Sequence, residues 1–92
     1  MDNPPIIAQA ADRLAALYDR PFSGKEKGRY RISVKLLRAL TGRRRLYPED
    51  VEALRRALFE RGHVLIDMES YFVVMSGSSF VNYRRVGEDL LK

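Results

Sequence analysis

Ninety-two residues suffice for one domain with one modest core, and leave no room for a cofactor domain beside a substrate domain. A hydrophobic content of 46% with interspersed polar positions excludes a disordered chain, and the absence of cysteine excludes disulfides and Cys-based zinc sites. The balance of 17 Lys and Arg against 12 Asp and Glu, a net charge of +5, favours polyanionic partners.

At the N-terminus, Met1-Asp2-Asn3-Pro4-Pro5 lacks the basic start and apolar run of a signal peptide, and no stretch approaches the length of a bilayer span. A soluble, cytoplasmic protein without a membrane partner is the expectation. From Pro4 to Tyr18, Ile7, Ala10, Leu14 and Leu17 recur at steps of three and four, which predicts one amphipathic helix over 4–18 with a proline in its first turn. Pro21, Gly24 and Gly28 break that period, so 19–28 is expected to be an exposed, mobile, basic loop.

The region 29–62 reads as a helix-turn-helix. Arg29-Tyr30-Arg31-Ile32 suits a short strand, and Ser33 suits the N-cap of a helix through Thr41 that Gly42 ends. Val34, Leu36, Leu37 and Leu40 are expected to pack inward, while Arg31, Lys35 and Arg38 line the outer side. The next helix opens at Pro48, with Glu49 and Asp50 where acids offset the dipole. Val51, Leu54 and Leu58 form its buried stripe, Phe59 widens it and Gly62 ends it.

Between His63 and Ser76 the texture turns β-branched and aromatic, and 63–76 is expected to be a β-hairpin around Asp67-Met68-Glu69-Ser70. The remainder, 77–92, is a C-terminal segment in which Phe80 to Tyr83 suggests a third short strand and Val86 to Leu91 a last helical turn.

Charge is distributed unevenly over these elements. Between residues 25 and 45 lie Lys25, Lys27, Arg29, Arg31, Lys35, Arg38, Arg43, Arg44 and Arg45 against one acid, Glu26, and the rest of the chain is slightly acidic. Such a block on a near-neutral body is the electrostatic footprint of a phosphate-binding surface, or else a solubilising face.

The order helix, short strand, helix, Arg-rich turn, helix, hairpin resembles, over about residues 6 to 76, a winged helix-turn-helix domain. The resemblance implies a small α+β fold of three helices and a C-terminal β-hairpin, acting on DNA as a transcriptional regulator or nucleoid-associated component. The segment Ile32-Ser33-Val34-Lys35-Leu36-Leu37-Arg38-Ala39-Leu40-Thr41-Gly42-Arg43-Arg44-Arg45-Leu46 also resembles the recognition helix and following glycine of repressor-type helix-turn-helix proteins. The two imply different reading helices. A winged helix would use the helix from Pro48, whose first turn is acidic; the repressor-like reading uses the helix from Ser33 and matches the charge. The second is preferred, with Arg29, Arg31, Ser33, Lys35, Arg38, Arg43, Arg44 and Arg45 as the expected nucleic-acid contacts.

Catalysis finds no support. The lone His63 lies near Asp67 and Glu69 without a second cluster to complete a metal site, no nucleophile–base pair is present, and Ser76-Gly77-Ser78-Ser79 reads as a turn, so no enzyme, cofactor or metal is expected. A protein-interaction module is the rival reading. The strand from Tyr71 to Met75 is apolar on both faces, and a homodimer through Tyr71, Val73, Met75, Phe80 and Tyr83 would cover one of them. RNA, with Tyr30 and Tyr47 beside the basic block, and an acidic protein partner stay open.

Overall fold

A computed structural model describes residues 5–92. Three α-helices and a three-stranded antiparallel sheet alternate as α1 (Pro5–Tyr18), β1 (Tyr30–Ser33), α2 (Val34–Thr41), α3 (Pro48–Glu60), β2 (His63–Asp67) and β3 (Tyr71–Ser76). The fold is α+β. Pro4, expected to open the first helix, lies outside the described residues.

The first helix buries Ile7, Ala10, Ala11 and Leu14, the spacing that places side chains on one side of a 3.6-residue period. It packs on α3, which contributes Leu54, Ala57 and Leu58, and α2 closes the core with Leu37. Ile32, Leu65, Phe72 and Val74 form the sheet's inner face beneath these helices. No helix among the described residues is long and apolar enough to cross a membrane.

Strand order is β1-β3-β2, with Tyr30 opposite Val74 and Ser33 opposite Tyr71 on one side of β3, and His63 opposite Ser76 and Asp67 opposite Phe72 on the other. The expected C-terminal hairpin therefore understates the sheet. The four residues between the loop and α2 add to β3 as an edge strand, which makes β3 central, with Phe72 and Val74 buried on its inner face and Tyr71, Val73 and Met75 half-buried on the outer one. Between β2 and β3, Asp67 Oδ1 accepts the Glu69 N–H at 2.8 Å and Glu69 takes φ 72°, a short polar side chain organising the turn in place of an Asn-Gly pair.

Local chemistry explains the helix ends. Ser33 is extended and its Oγ accepts the Leu36 N–H at 3.1 Å, which starts α2 within one residue of the strand. Gly42 ends α2 in the left-handed region at φ 68°, where a side chain would be strained. Asp50 Oδ2 accepts the Tyr47 N–H at 3.0 Å and fastens the start of α3.

Three expectations are corrected, those for Leu36, Phe59 and a third strand at 80–83. Leu36 is 58% exposed and Phe59 70% exposed, because both project away from the core-facing stripes that Leu37 and Ala57–Leu58 occupy. Within the loop 19–28, Phe22 and Lys25 exchange backbone hydrogen bonds at 3.0 and 3.1 Å around Ser23 and Gly24, both with positive φ, and the Gly28 N–H donates to the Tyr18 carbonyl at 2.8 Å. Phe80 to Tyr83 adds no third strand at the C-terminal end; Gly77–Phe80 is a 3₁₀ turn capped by Ser76, and the Phe80 and Tyr83 rings meet edge to face with centroids 5.2 Å apart. The expected last helical turn is present as the 3₁₀ turn Glu88–Leu91, and it stands off the core.

Tyr30 ties the sheet to the helices, its hydroxyl donating to the Leu14 carbonyl at 2.5 Å. Burial pushes its phenol well above the usual value near 10. The fold holds the neutral form, so this contribution is complete below about pH 10 and falls as the pH rises from there toward the folded-state value, the unfolded chain ionising first. Tyr30→Phe is expected to lower the neutral-pH Tm by about 4–8 °C, for a hydrogen bond of about 1 kcal/mol, and to flatten the fall in stability above pH 10. Thermal melts of both proteins from pH 7 to 11 check this, and an equal alkaline fall in the two would contradict it.

Candidate nucleic-acid interface

The basic block occupies one continuous stretch of structure: the loop before β1, β1 itself, the outer side of α2 and the turn 42–47 that leads into α3. Each candidate side chain is placed by a local cause. Arg31 alternates with the buried Ile32 and so points outward, where its guanidinium sits 5.5 Å from the centre of the Tyr71 ring. Lys35 is exposed on the first turn of α2. Arg45 lies over the Tyr47 ring at 5.9 Å, and Arg44 extends from the exposed turn.

Two candidates serve the fold. Ser33 is engaged as the α2 cap. Arg38 is half-buried, its Nη1 donating to the Arg44 carbonyl at 2.9 Å, while its Nε is buried without a partner. The guanidinium thus braces the turn that carries Arg43, Arg44 and Arg45. Arg43 is intermediate in role, with Nη2 3.4 Å from Asp50 Oδ1 at the start of α3.

Ion pairing separates this block from the remainder of the molecule. On α3, Glu52 receives both Arg55, at 2.6 Å, and Arg56, at 3.1 Å, and these hydrogen bonds hold its carboxyl below the usual range. Arg61 meets Asp12 of α1 at 2.6 Å. Within the block, Arg43 is the one cation that meets an acid among the described residues. The arginines of α3 are neutralised in place; those of the loop, β1, α2 and, Arg43 apart, the turn are not.

Lys25 and Lys27 belong with the candidate contacts although the expected set omits them. A cavity of about 350 Å³ is lined by Lys25, Lys27, Arg29 and Arg31 together with Phe22 and Tyr30. The signal was present as charge density, since Lys25 and Lys27 lie beside Arg29 and Arg31 in the same stretch of chain.

The expected dimer residues separate into two places. Tyr71, Val73 and Met75 are half-buried on the outer face of β3, whereas Phe80 and Tyr83 pair with each other beyond the sheet. His63 stacks edge to face on Tyr18, with ring centroids 5.0 Å apart, and its Nδ1 lies 3.0 Å from the Arg61 carbonyl. Among the described residues no three His, Cys, Asp or Glu side chains converge as a metal site would require.

Comparison with protein-family models, with curated proteins and with solved structures finds no match to this chain.

Proposed function

We propose that this chain is a winged-helix-like domain that binds duplex DNA through α2, the turn 42–47 and the loop before β1. The observation that carries the reading is the segregation of charge: apart from the half-buried Arg38 the cations of the basic block stand exposed, and among the described residues only Arg43 of the block makes an ion pair, while Arg55, Arg56 and Arg61 are paired. Element order supports it too, with β1 inserted between α1 and α2 and the β2–β3 pair after α3.

Under this reading Lys35, Arg44 and Arg45 neutralise phosphates and release counterions, and Arg29 and Arg31 follow the backbone alongside. An arginine of the turn supplies any base reading, because a guanidinium fork matches guanine O6 and N7. The start of α3 is the less suitable edge. Glu49 and Asp50 stand there, and Asp50 is already committed to the Tyr47 N–H and Arg43. The β2–β3 turn is acidic through Asp67 and Glu69, so it contributes no phosphate contact.

Fluorescence anisotropy with a random-sequence duplex, a matched single strand and polyglutamate tests the class of partner. Duplex binding in preference to the other two supports the proposal. Preference for the single strand would assign the aromatic, basic cavity at Phe22 and Tyr30 to RNA or single-stranded DNA, and preference for polyglutamate would assign an acidic protein partner.

Arg38 is a positioning residue under this proposal. Arg38→Met keeps the aliphatic volume and removes a desolvated N–H, so the unfolding free energy should stay within about 1 kcal/mol of wild type while duplex affinity falls. The salt slope should be retained, because no phosphate contact is lost. A slope lower by about 0.9 would instead make Arg38 a direct contact.

A further inference from the structure

A second concave surface lies beside the basic block. Two cavities of about 480 and 410 Å³ share Leu17, Ile32 and Leu36 as walls and join into one groove across the end of α1, β1 and the first turn of α2. Leu40 extends the apolar lining at one end, and Phe22 and Tyr71 at the other. Every charged residue on its walls is basic: Arg13 and Arg20 from α1, and Arg31 from β1. Neither Arg13 nor Arg20 meets an acid among the described residues. A groove of this kind fits a short segment with large aliphatic side chains beside carboxylates.

The chain itself contains such a segment. The Glu88–Leu91 turn carries Glu88 and Asp89 followed by Leu90 and Leu91, which are 71% and 81% exposed. Its geometry does not send it to its own groove. Tyr71, at the start of β3, lines the groove, whereas Ser76 ends the strand roughly 16 Å further along. There the Gly77 N–H donates to the Gly62 carbonyl at 2.9 Å. Residues 81–83 follow in local turns, with the Tyr83 N–H on the Phe80 carbonyl at 3.1 Å, residues 84–87 have no regular structure, and the tail reaches Leu90 and Leu91 without covering them. A radius of gyration of 14.9 Å, against about 12 Å for a compact chain of this length, agrees with a projecting tail.

We propose that the Glu88–Leu91 turn of a second copy docks in this groove, Leu90 and Leu91 against Leu17, Leu36 and Leu40, and Glu88 and Asp89 toward Arg13 and Arg20. Reciprocal exchange of the two turns makes a closed, two-fold dimer in which each copy gives and receives the same segment. The contact leaves the turn 42–47 uncovered and shares Arg31 with the proposed DNA surface.

Sedimentation equilibrium of the full chain over a wide concentration range tests it, with circular dichroism as the check of folding. Wild type should dimerise. Leu90→Asp with Leu91→Asp should weaken the dimer by about a hundredfold or more, and Leu36→Asp, at an exposed position of the groove, by at least about tenfold. Mixing the tail variant with the groove variant should restore heterodimers, since one intact turn then meets one intact groove. A wild-type monomer at every concentration, a dimer indifferent to either variant, or no heterodimer on mixing would overturn the proposal.

Discussion

Replacing Lys35, Arg44 and Arg45 together by Ala should lower duplex affinity on the order of a hundredfold, at about 1 kcal/mol for each exposed contact, and reduce the log–log salt slope by close to three. The three side chains are exposed and meet no acid, so their removal leaves no buried charge behind and should not disturb the fold. Arg43 is left in place because its pairing with Asp50 would mix a change at the start of α3 into the measurement. The comparison variant is Arg55→Ala with Arg56→Ala, which removes cations already neutralised by Glu52. Anisotropy against salt for both variants decides the matter. Equal losses in the two would mean that net charge alone governs binding and that the block has no special place in it.

The second large effect is on stability. Leu54→Ala empties a fully buried site between α1 and α3 and should cost about 2–5 kcal/mol. A chain of this size has a total stability of about 5–14 kcal/mol, so the loss is a substantial share of the whole and a Tm lower by roughly 10–25 °C is expected. Phe59→Ala, five residues along the same helix and 70% exposed, should change stability by no more than about 0.5 kcal/mol. Thermal melts of the two variants distinguish the core-facing stripe from its flank, and similar shifts in both would contradict the packing of α3.

These two helical positions also show what the chain discloses unaided. Ile7, Ala10 and Leu14 on α1, and Leu54 and Leu58 on α3, are legible from periodicity because both helices press one narrow stripe on the core. Leu36 and Phe59 sit at the margins of such stripes, where composition cannot distinguish a core neighbour from an exposed apolar residue; that depends on which element lies opposite. The caps were readable for a local reason, since Ser33, Gly42 and Gly62 act within three residues of themselves. The pairing of β1 with β3 was not, because it joins residues about forty positions apart and strand order leaves no local trace.

At the basic surface the block itself is plain in the sequence, but the division of labour within it is not. Arg31, Lys35 and Arg38 have the spacing of one outward row, yet the Arg38 guanidinium turns back to the Arg44 carbonyl while Arg31 sits by Tyr71. A long flexible side chain chooses its partner only once the turn 42–47 exists. The apolar groove was equally hidden, because its walls come from α1, β1, α2 and β3 and only the tertiary arrangement joins them.

The decisive measurement is the affinity of the wild-type protein for a random-sequence duplex as a function of salt. With phosphate contacts from Arg29, Arg31, Lys35, Arg44 and Arg45, micromolar or tighter binding at low salt and a log–log slope near −4 to −5 are expected. No duplex binding at low salt, or binding with a slope near zero, would contradict the assignment of this surface to DNA.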